Sequence, residues 1–201
     1  ACSNLTSEDF VMRLSYYELR SLIEQGVIDA PLSQLNGASI DVRISDTLLV
    51  EAKPDGPGPH LVDVTDKQNL QLPKFQEIKM GTAGYALRPG GCVLVATVER
   101  FRLPFDIICE LRLKSTIARC FTNHLFASWC DPGWGFEAPG DTRLTMELHN
   151  CMQYHYMRLV PNMKIGQMIF ERVTPVPRDQ SYAVRGQYNG TSDVAMSRGV
   201  R

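Results

Sequence analysis

Hydrophobic and polar residues alternate along most of the chain beyond residue 36, and this period of two is typical of half-buried β-strands. Clusters of Pro, Gly and Asp interrupt the pattern and are expected to form turns. Five segments are predicted as strands: residues 40–44, 91–98, 107–113, 143–149 and 164–171. Many short strands with little helix predict a mainly β fold, either an antiparallel barrel or a sandwich.

One helix is predicted close to the N-terminus. Ser15 is suited to the N-cap, and Glu18 three residues later completes a capping box. Leu19 and Leu22 belong to one apolar stripe, and Gly26 is expected to end the helix. We interpret this helix as a packing element without chemistry of its own.

The composition narrows the range of functions. The chain has 201 residues, with 21 Lys and Arg against 22 Asp and Glu and a formal net charge of -1. This balance provides no excess positive field for a nucleic-acid polymer, whereas a single nucleotide remains possible. No segment approaches the roughly 18 apolar residues of a membrane span. The polar, acidic residues 1–10 do not resemble a signal peptide, so we expect a cytoplasmic protein without a membrane partner.

The six cysteines occur neither as CxxC pairs nor beside a histidine at zinc-ligand spacing. We therefore expect thiols in strands and loops rather than a disulfide framework or a zinc site. The zinc deaminase signature, HxE followed by PCxxC, is absent as well.

A possible anion site follows the strand predicted at residues 107–113. Ser115 or Thr116 can cap a short helical run, and Lys114 and Arg119 place positive charge beside its free N–H groups. This arrangement suits a phosphate. A capped surface turn is the alternative interpretation.

Asp131 lies in a tight turn between Trp129 and Trp134. Its carboxylate can bind a hydroxyl group, and either indole can stack on a flat ring. A plain Asp-Pro-Gly turn with tryptophans in the core is the alternative.

A carboxylate occurs in the middle of the strand at residues 143–149. Alternation places Arg143, Thr145 and Glu147 on one face and the intervening apolar residues on the other. Glu147 then faces either bulk solvent or a cleft, where loss of water raises a carboxyl pKa.

These three segments, in this order, resemble the central motifs of the dCTP deaminase family, the deaminating branch of the trimeric dUTPase superfamily. Four further segments resemble motifs of the same family: residues 36–43, 87–90, 162–167 and 187–198. The resemblance implies a distorted antiparallel β-barrel of the dUTPase type with an N-terminal helix. It divides the chain into an N-terminal extension (residues 1–10), a β domain (11–185) and a C-terminal lid over the active site (186–201).

The resemblance also implies an activity. Members of the family form homotrimers with active sites at subunit interfaces, and they hydrolyse the 4-amino group of dCTP to give dUTP and ammonia. Mg²⁺ accompanies the triphosphate, and the deamination itself uses no metal.

Residue by residue, Glu147 matches the proton-shuttling glutamate of the family, and Ser115 and Arg119 match its partners around the cytosine and the attacking water. A further set is expected to bind the phosphates, the deoxyribose, the base or the water: Lys114, Thr116, Ile117, Ala118, Ala127, Asp131, Thr145, Met146, Gln167, Tyr182, Gln187, Tyr188 and Thr191.

Some positions depart from the family pattern. Trp129 replaces the usual arginine, so a deaminase that forms dUMP rather than dUTP remains an alternative. Phe126 replaces a threonine next to Ala127, so a modified cytosine remains an alternative to cytosine as the substrate base. The segment at residues 135–145 is longer than the family's hairpin and offers Asp141 as a competitor to Glu147. We prefer Glu147 because Asp141 follows Pro and Gly and is typical of a turn.

In the tail, Gln187 and Thr191 replace residues that close over the triphosphate, and Arg185 can substitute for the lost charge. Two other functions remain open on this basis. One is a dUTP diphosphatase, and the other is a binding protein that retains the fold without the chemistry.

Overall fold

A computed structural model describes residues 12–58, 60–124 and 127–200. The N-terminal extension predicted at residues 1–10 and the substitution at Phe126 lie outside the described residues. Within the described ranges, no helix is long and apolar enough to cross a membrane.

The elements follow one another along the chain with short connections, apart from long ones after β3 and β10. The strands are β1 (Met12–Arg13), β2 (Ile28–Asp29), β3 (Ile40–Glu51), β4 (Phe75–Lys79), β5 (Tyr85–Leu87), β6 (Cys92–Thr97), β7 (Arg100–Phe101), β8 (Ile107–Leu113), β9 (Thr122–His124), β10 (Trp129–Cys130), β11 (Thr145–Asn150), β12 (Met157–Leu159) and β13 (Lys164–Arg172). The helices are α1 (Tyr16–Glu24), α2 (Ser115–Ala118) and α3 (Tyr182–Arg185), with 3₁₀ turns at Leu32–Gln34 and Arg178–Gln180.

Nine of the described strands form one antiparallel sheet that curls into a half-barrel. Its main order is β10-β8-β13-β3-β6-β11-β9, and β1 and β4 pair with β13 and β3 respectively. The five predicted strands are confirmed as β3, β6, β8, β11 and β13. The predicted mainly β, dUTPase-like barrel with an N-terminal helix is therefore confirmed.

Helix α1 has the predicted ends. The backbone N–H of Ser15 donates to the Glu18 carboxylate at 2.8 Å, which is one half of the capping box. Gly26, just beyond the helix, has a φ of 73°, in the left-handed region that glycine adopts without strain. Leu19 and Leu22 are buried against the sheet core.

The buried residues of the main strands and of helix α1 form one hydrophobic core. Phe101 stacks on Trp134 with a centroid separation of 5.2 Å, and Phe170 lies beside Phe101. Met146 and Leu148 of β11 are fully buried in the same cluster. Because strand side chains alternate, their burial directs Thr145, Glu147 and His149 to the opposite face of β11. The core thus fixes which face of β11 carries the candidate carboxylate.

Candidate active site

A cavity of about 490 Å³ lies over the face of β11 that is directed away from the core. Its floor includes Thr145 and Glu147. Its roof is formed by five residues of the C-terminal segment (residues 186–200): Tyr188, Thr191, Ala195, Met196 and Ser197. Residues 62–75 form one side, and Trp129 and Trp134 contribute to the wall. The cavity brings together six of the residues predicted for the site: Ala127, Thr145, Glu147, Tyr182, Tyr188 and Thr191.

Glu147 is the most perturbed carboxyl group that the structure describes. Its side chain is only 28% exposed, and burial raises its pKa from 4.5 to about 7. Its Oε2 atom has no hydrogen-bond partner within the described parts of the chain. A carboxyl group with such a pKa can both accept and donate a proton near neutral pH.

His124 lies next to this carboxyl group. Its Nδ1 atom is 3.7 Å from Glu147 Oε2, and its side chain is 6% exposed. Neither ring nitrogen has a hydrogen-bond partner among the described residues. Burial lowers the pKa of His124, so the ring is neutral near pH 7.

The C-terminal segment folds back onto the sheet at several points. The backbone N–H of Ala195 donates to the hydroxyl of Thr145 at 3.1 Å, and that of Arg143 donates to the Thr191 carbonyl at 2.9 Å. At the far end, the Val200 N–H donates to the carbonyl of Val64 at 2.8 Å. The segment is thereby held over Glu147 from two sides.

The long connection at residues 135–144 also anchors this segment. The Gly135 N–H donates to the side chain of Asn189 at 2.7 Å, and the Gly190 N–H donates to the hydroxyl of Thr142 at 2.9 Å. Within the segment, Arg198 donates to the Gln187 carbonyl, and its guanidinium lies 5.2 Å from the centre of the Tyr188 ring. The inserted residues thus hold the C-terminal segment against the β domain.

A second cavity, of about 620 Å³, adjoins the first and shares Tyr182 and Tyr188 with it. It contains two more predicted residues, Asp131 and Gln187, together with Arg185. The indole N–H of Trp129 donates to the Asp131 carboxylate at 2.9 Å. Burial raises the pKa of Tyr182, so its hydroxyl stays protonated.

The residues predicted on α2 are placed elsewhere. Ser115, Thr116, Ala118 and Arg119 are exposed, Ile117 is buried in the core, and none of them lines either cavity. The prediction that a hydroxyl side chain caps this helix is wrong. Lys114 occupies the N-cap position, with φ -64° and ψ 139°, and no side chain in the described part of the chain caps the helix. The helix begins one residue earlier than a hydroxyl cap requires.

Lys114 belongs to a separate polar cluster. Its ammonium group lies 2.6 Å from the Asp41 carboxylate, which also accepts from Lys164 at 3.0 Å and from Asn36 at 2.9 Å. Burial favours a higher pKa for Asp41, but these hydrogen bonds outweigh it and lower the pKa below its usual value. Gln167 lies in the same region, where Ser39 donates to its side chain at 3.4 Å.

The structure distinguishes Glu147 from its competitor Asp141, and it gives the two tryptophans different surroundings. Asp141 lies at the surface, where Arg100 and Arg102 pair with it at 3.0 and 3.2 Å, whereas Glu147 lies in the cavity. Trp134 is buried in the core and also lines the cavity, whereas Trp129 is 57% exposed. Met146, predicted along the base, is a core residue and does not line the cavity.

Sequence reasoning missed several residues of the cavity. Leu94 lies directly opposite Glu147 in the β6–β11 pair, and strand register cannot be read from one chain segment. Arg143 lines the cavity, and its buried Nε has no partner within the described ranges. The alternation along residues 143–149 already placed Arg143 on the same face as Glu147, and this sequence signal could have identified it as a cavity residue.

Over residues 12–58, 60–124 and 127–200, no three His, Cys, Asp or Glu side chains lie close enough together to hold a metal ion.

Comparison with solved structures supports the fold class. The chain is similar to the crystal structure of 2'-deoxycytidine 5'-triphosphate deaminase from Agrobacterium tumefaciens, with a TM-score of 0.61 and 18% identity. The match covers 81% of this chain and 48% of that one, so this chain spans about half the length of the solved chain.

Sequence comparison then gives the family. The sequence model of the dCTP deaminase-like family matches residues 13–173. A dUMP-forming dCTP deaminase of Nanoarchaeum equitans (strain Kin4-M) is 30% identical over 84% of this chain and 88% of its own length. The dCTP deaminase of Pasteurella multocida (strain Pm70) is 31% identical over 80% and 83%, respectively. The chain belongs to the dCTP deaminase-like family.

Proposed function

We propose that the protein is a dCTP deaminase that converts dCTP and water to dUTP and ammonia. The observation that carries the proposal is Glu147, a carboxyl group on the floor of a roofed cavity with its pKa raised to about 7. Hydrolytic deamination needs a group that gains and loses protons several times in one turnover. The relatives named as dCTP deaminases give the substrate.

The proposed reaction uses this carboxyl group for each proton transfer. As carboxylate, Glu147 takes a proton from water while the water oxygen adds to C4 of cytosine, and it delivers that proton to N3. It then takes the proton of the new C4 hydroxyl and passes it to the amino group. The C4–N4 bond breaks, ammonia leaves, and C4 becomes a carbonyl. The protein's own carboxylate activates the water throughout, without zinc.

A homotrimer with shared active sites accounts for the position of α2. Ser115 and Arg119 are exposed and do not line the Glu147 cavity of their own chain. We propose that a neighbouring subunit places them over the cavity, where a guanidinium stabilises charge on the tetrahedral adduct. Each active site would then combine Glu147 of one subunit with α2 of another.

The triphosphate is proposed to lie under the C-terminal segment, which acts as a lid. Tyr188 and Thr191 line the cavity from this segment, and Arg143 supplies a positive charge inside it. Mg²⁺ enters with the phosphates as part of the substrate. Since the substrate is a charged metabolite that does not cross membranes unaided, we also propose a cytoplasmic location.

A dUMP-forming reaction is the second candidate. The relatives from Nanoarchaeum equitans and Dictyoglomus thermophilum are named as dUMP-forming dCTP deaminases. Trp129, which replaces the arginine of the simple deaminases, lines the cavity and donates its indole N–H to Asp131. Further hydrolysis of the triphosphate would release pyrophosphate and dUMP.

Chromatographic product analysis tests the proposal. The purified protein is incubated with dCTP or dUTP and Mg²⁺, and the nucleotides and ammonia are quantified. Ammonia release from dCTP supports deamination, and the phosphate state of the product separates dUTP from dUMP. Hydrolysis of dUTP with dCTP left intact identifies a dUTP diphosphatase, and binding without turnover identifies a binding protein.

A further inference from the structure

The surroundings of Glu147 differ on its two sides. In the sheet, β11 lies between β9 and β6. On the β9 side, the polar ring of His124 approaches the carboxyl group. On the β6 side, Leu94 is paired directly with Glu147, so the two side chains are close neighbours on one face. The reactive carboxyl group thus has a polar side and an apolar side.

The apolar side continues away from Leu94. Beyond β6 come β3 and then β4, which begins at Phe75. The chain that leads into β4 turns back on itself, with Asp63 paired to Gln71, and presents aliphatic side chains to the cavity. The apolar wall consists of Val62, Val64, Leu72, Pro73, Phe75 and Leu94.

Cytosine has a matching asymmetry. Starting from C4, where the amino group leaves, one ring neighbour is N3, which must be protonated, and the other is C5, which carries only hydrogen. A polar atom against an unpartnered aliphatic wall loses its hydrogen bonds to water, whereas a carbon atom does not. With C4 at Glu147, the apolar side chains therefore favour C5 over N3 as the ring atom that is directed toward Leu94.

An unsubstituted C5 presents little apolar surface to a wall of six side chains. We propose that this wall forms a subsite for an alkyl group on C5, and that 5-methylcytosine deoxynucleotides are the preferred substrates. This inference rests on the proposed deaminase function and specifies the substrate class of the same cavity. The reaction is unchanged: water adds at C4, ammonia leaves, and the methyl group takes no part. The product is a thymine nucleotide, and no oxidant or reductant is needed.

Competition between two substrates tests the inference. The full-length protein is incubated with dCTP and 5-methyl-dCTP plus Mg²⁺, and kcat/KM for ammonia release is measured for each. Burial of one additional methyl group predicts a kcat/KM about fourfold higher for 5-methyl-dCTP.

A substitution in the wall links the preference to the subsite. Leu94→Phe fills the space beside Glu147, so the ratio of kcat/KM for 5-methyl-dCTP over dCTP should fall below one. Leu61→Ala is the matched control, because Leu61 is 76% exposed, belongs to the same connection and does not line the cavity. It should leave the ratio unchanged. Thermal unfolding of both variants shows whether each is folded.

The outcomes separate this inference from the proposed function. Turnover of dCTP with equal or slower turnover of 5-methyl-dCTP overturns the subsite and leaves the deaminase function intact. A preference that persists in a folded Leu94→Phe variant also overturns the subsite. Failure to release ammonia from either nucleotide overturns the deaminase function, and the subsite with it.

Discussion

His124 and Glu147 form a partly buried pair in which Nδ1 of the histidine lies 3.7 Å from Oε2 of the glutamate. In the described parts of the chain, neither of these two atoms has a hydrogen-bond partner. A small rotation of either side chain brings the two atoms within hydrogen-bond distance. With its proton on Nδ1, the neutral ring can donate to the carboxylate and fix its orientation toward the cavity.

The first prediction concerns His124→Phe, which keeps the ring shape and removes both nitrogens. Loss of the hydrogen bond that a side-chain rotation would form between His124 and the carboxylate should lower kcat about tenfold or more, with a small effect on KM. Loss of the donor should also raise the pKa of Glu147, so the acidic limb of the kcat/KM profile should move to higher pH. Steady-state kinetics over a pH series measures both effects.

His155→Phe is the control, because His155 is exposed and does not line either cavity. It should have wild-type kinetics. An unchanged pH profile in a folded His124→Phe variant would contradict the positioning of Glu147 by His124.

The second prediction concerns the pH dependence of the wild-type enzyme. The first step needs Glu147 as carboxylate, and burial raises its pKa to about 7. The value of kcat/KM for dCTP should therefore rise with pH and level off above an apparent pKa of about 7. Initial rates of ammonia release at low dCTP concentration measure this curve. A curve that is already level at pH 5 would contradict the assignment.

The third prediction concerns stability. The rise in the pKa of Glu147 from 4.5 to about 7 means that the folded state binds more protons than the unfolded state in this interval. The stability contributed by Glu147 is therefore present below about pH 4.5 and is lost as the pH rises to about 7. The full difference corresponds to about 3 kcal/mol, and partial solvent access reduces it.

Glu147→Gln removes the titrating group and keeps the shape of the side chain. The variant should be more stable than the wild type above pH 7, by roughly 1–3 kcal/mol, and the gain should shrink toward pH 5. Urea unfolding at the two pH values measures the difference. Glu77→Gln, at an exposed position on β4, should show no such gain. A loss of stability in Glu147→Gln at high pH would refute the destabilising effect that we assign to the partly buried Glu147 carboxylate.

The fourth prediction concerns Arg143, whose buried Nε is unpaired within the described ranges and whose side chain lines the cavity. Arg143→Met keeps much of the side-chain length and removes the charge. Loss of a charge-assisted contact with the triphosphate should raise KM for dCTP about tenfold, with a smaller change in kcat. Arg20→Met on α1, which replaces an exposed arginine paired with Glu24, is the control. Equal KM values for the two variants would contradict the prediction that Arg143 binds the triphosphate.

The local pattern of polar and apolar residues was sufficient to predict part of the site. Alternation along β11 placed Glu147 on the face opposite Met146 and Leu148, and the burial of those two residues confirms this side. The capping box of α1 was likewise readable, since Ser15 and Glu18 are neighbours in the chain.

Features that depend on distant contacts were not predictable in this way. Leu94 lies beside Glu147 because the β6–β11 register pairs the two residues, and His124 lies on β9, the strand that pairs with β11 on its other side. Both relationships are set by pairing across the sheet. The segment at residues 62–75 contains one isolated bridge and no regular strand before Phe75, so its apolar residues showed no period that would place them. Lys114 took the N-cap position of α2 because its backbone is extended and its side chain is held by Asp41.

The central claim is that Glu147 performs the deamination of a cytosine deoxynucleotide. The most direct measurement is ammonia release from dCTP over many turnovers, at a pH above 7, by the wild type, Glu147→Gln and Glu77→Gln. We predict sustained release by the wild type and Glu77→Gln, and a loss of at least about a thousandfold in a folded Glu147→Gln variant. Comparable release by Glu147→Gln, or none by the wild type with either dCTP or 5-methyl-dCTP, would contradict the claim.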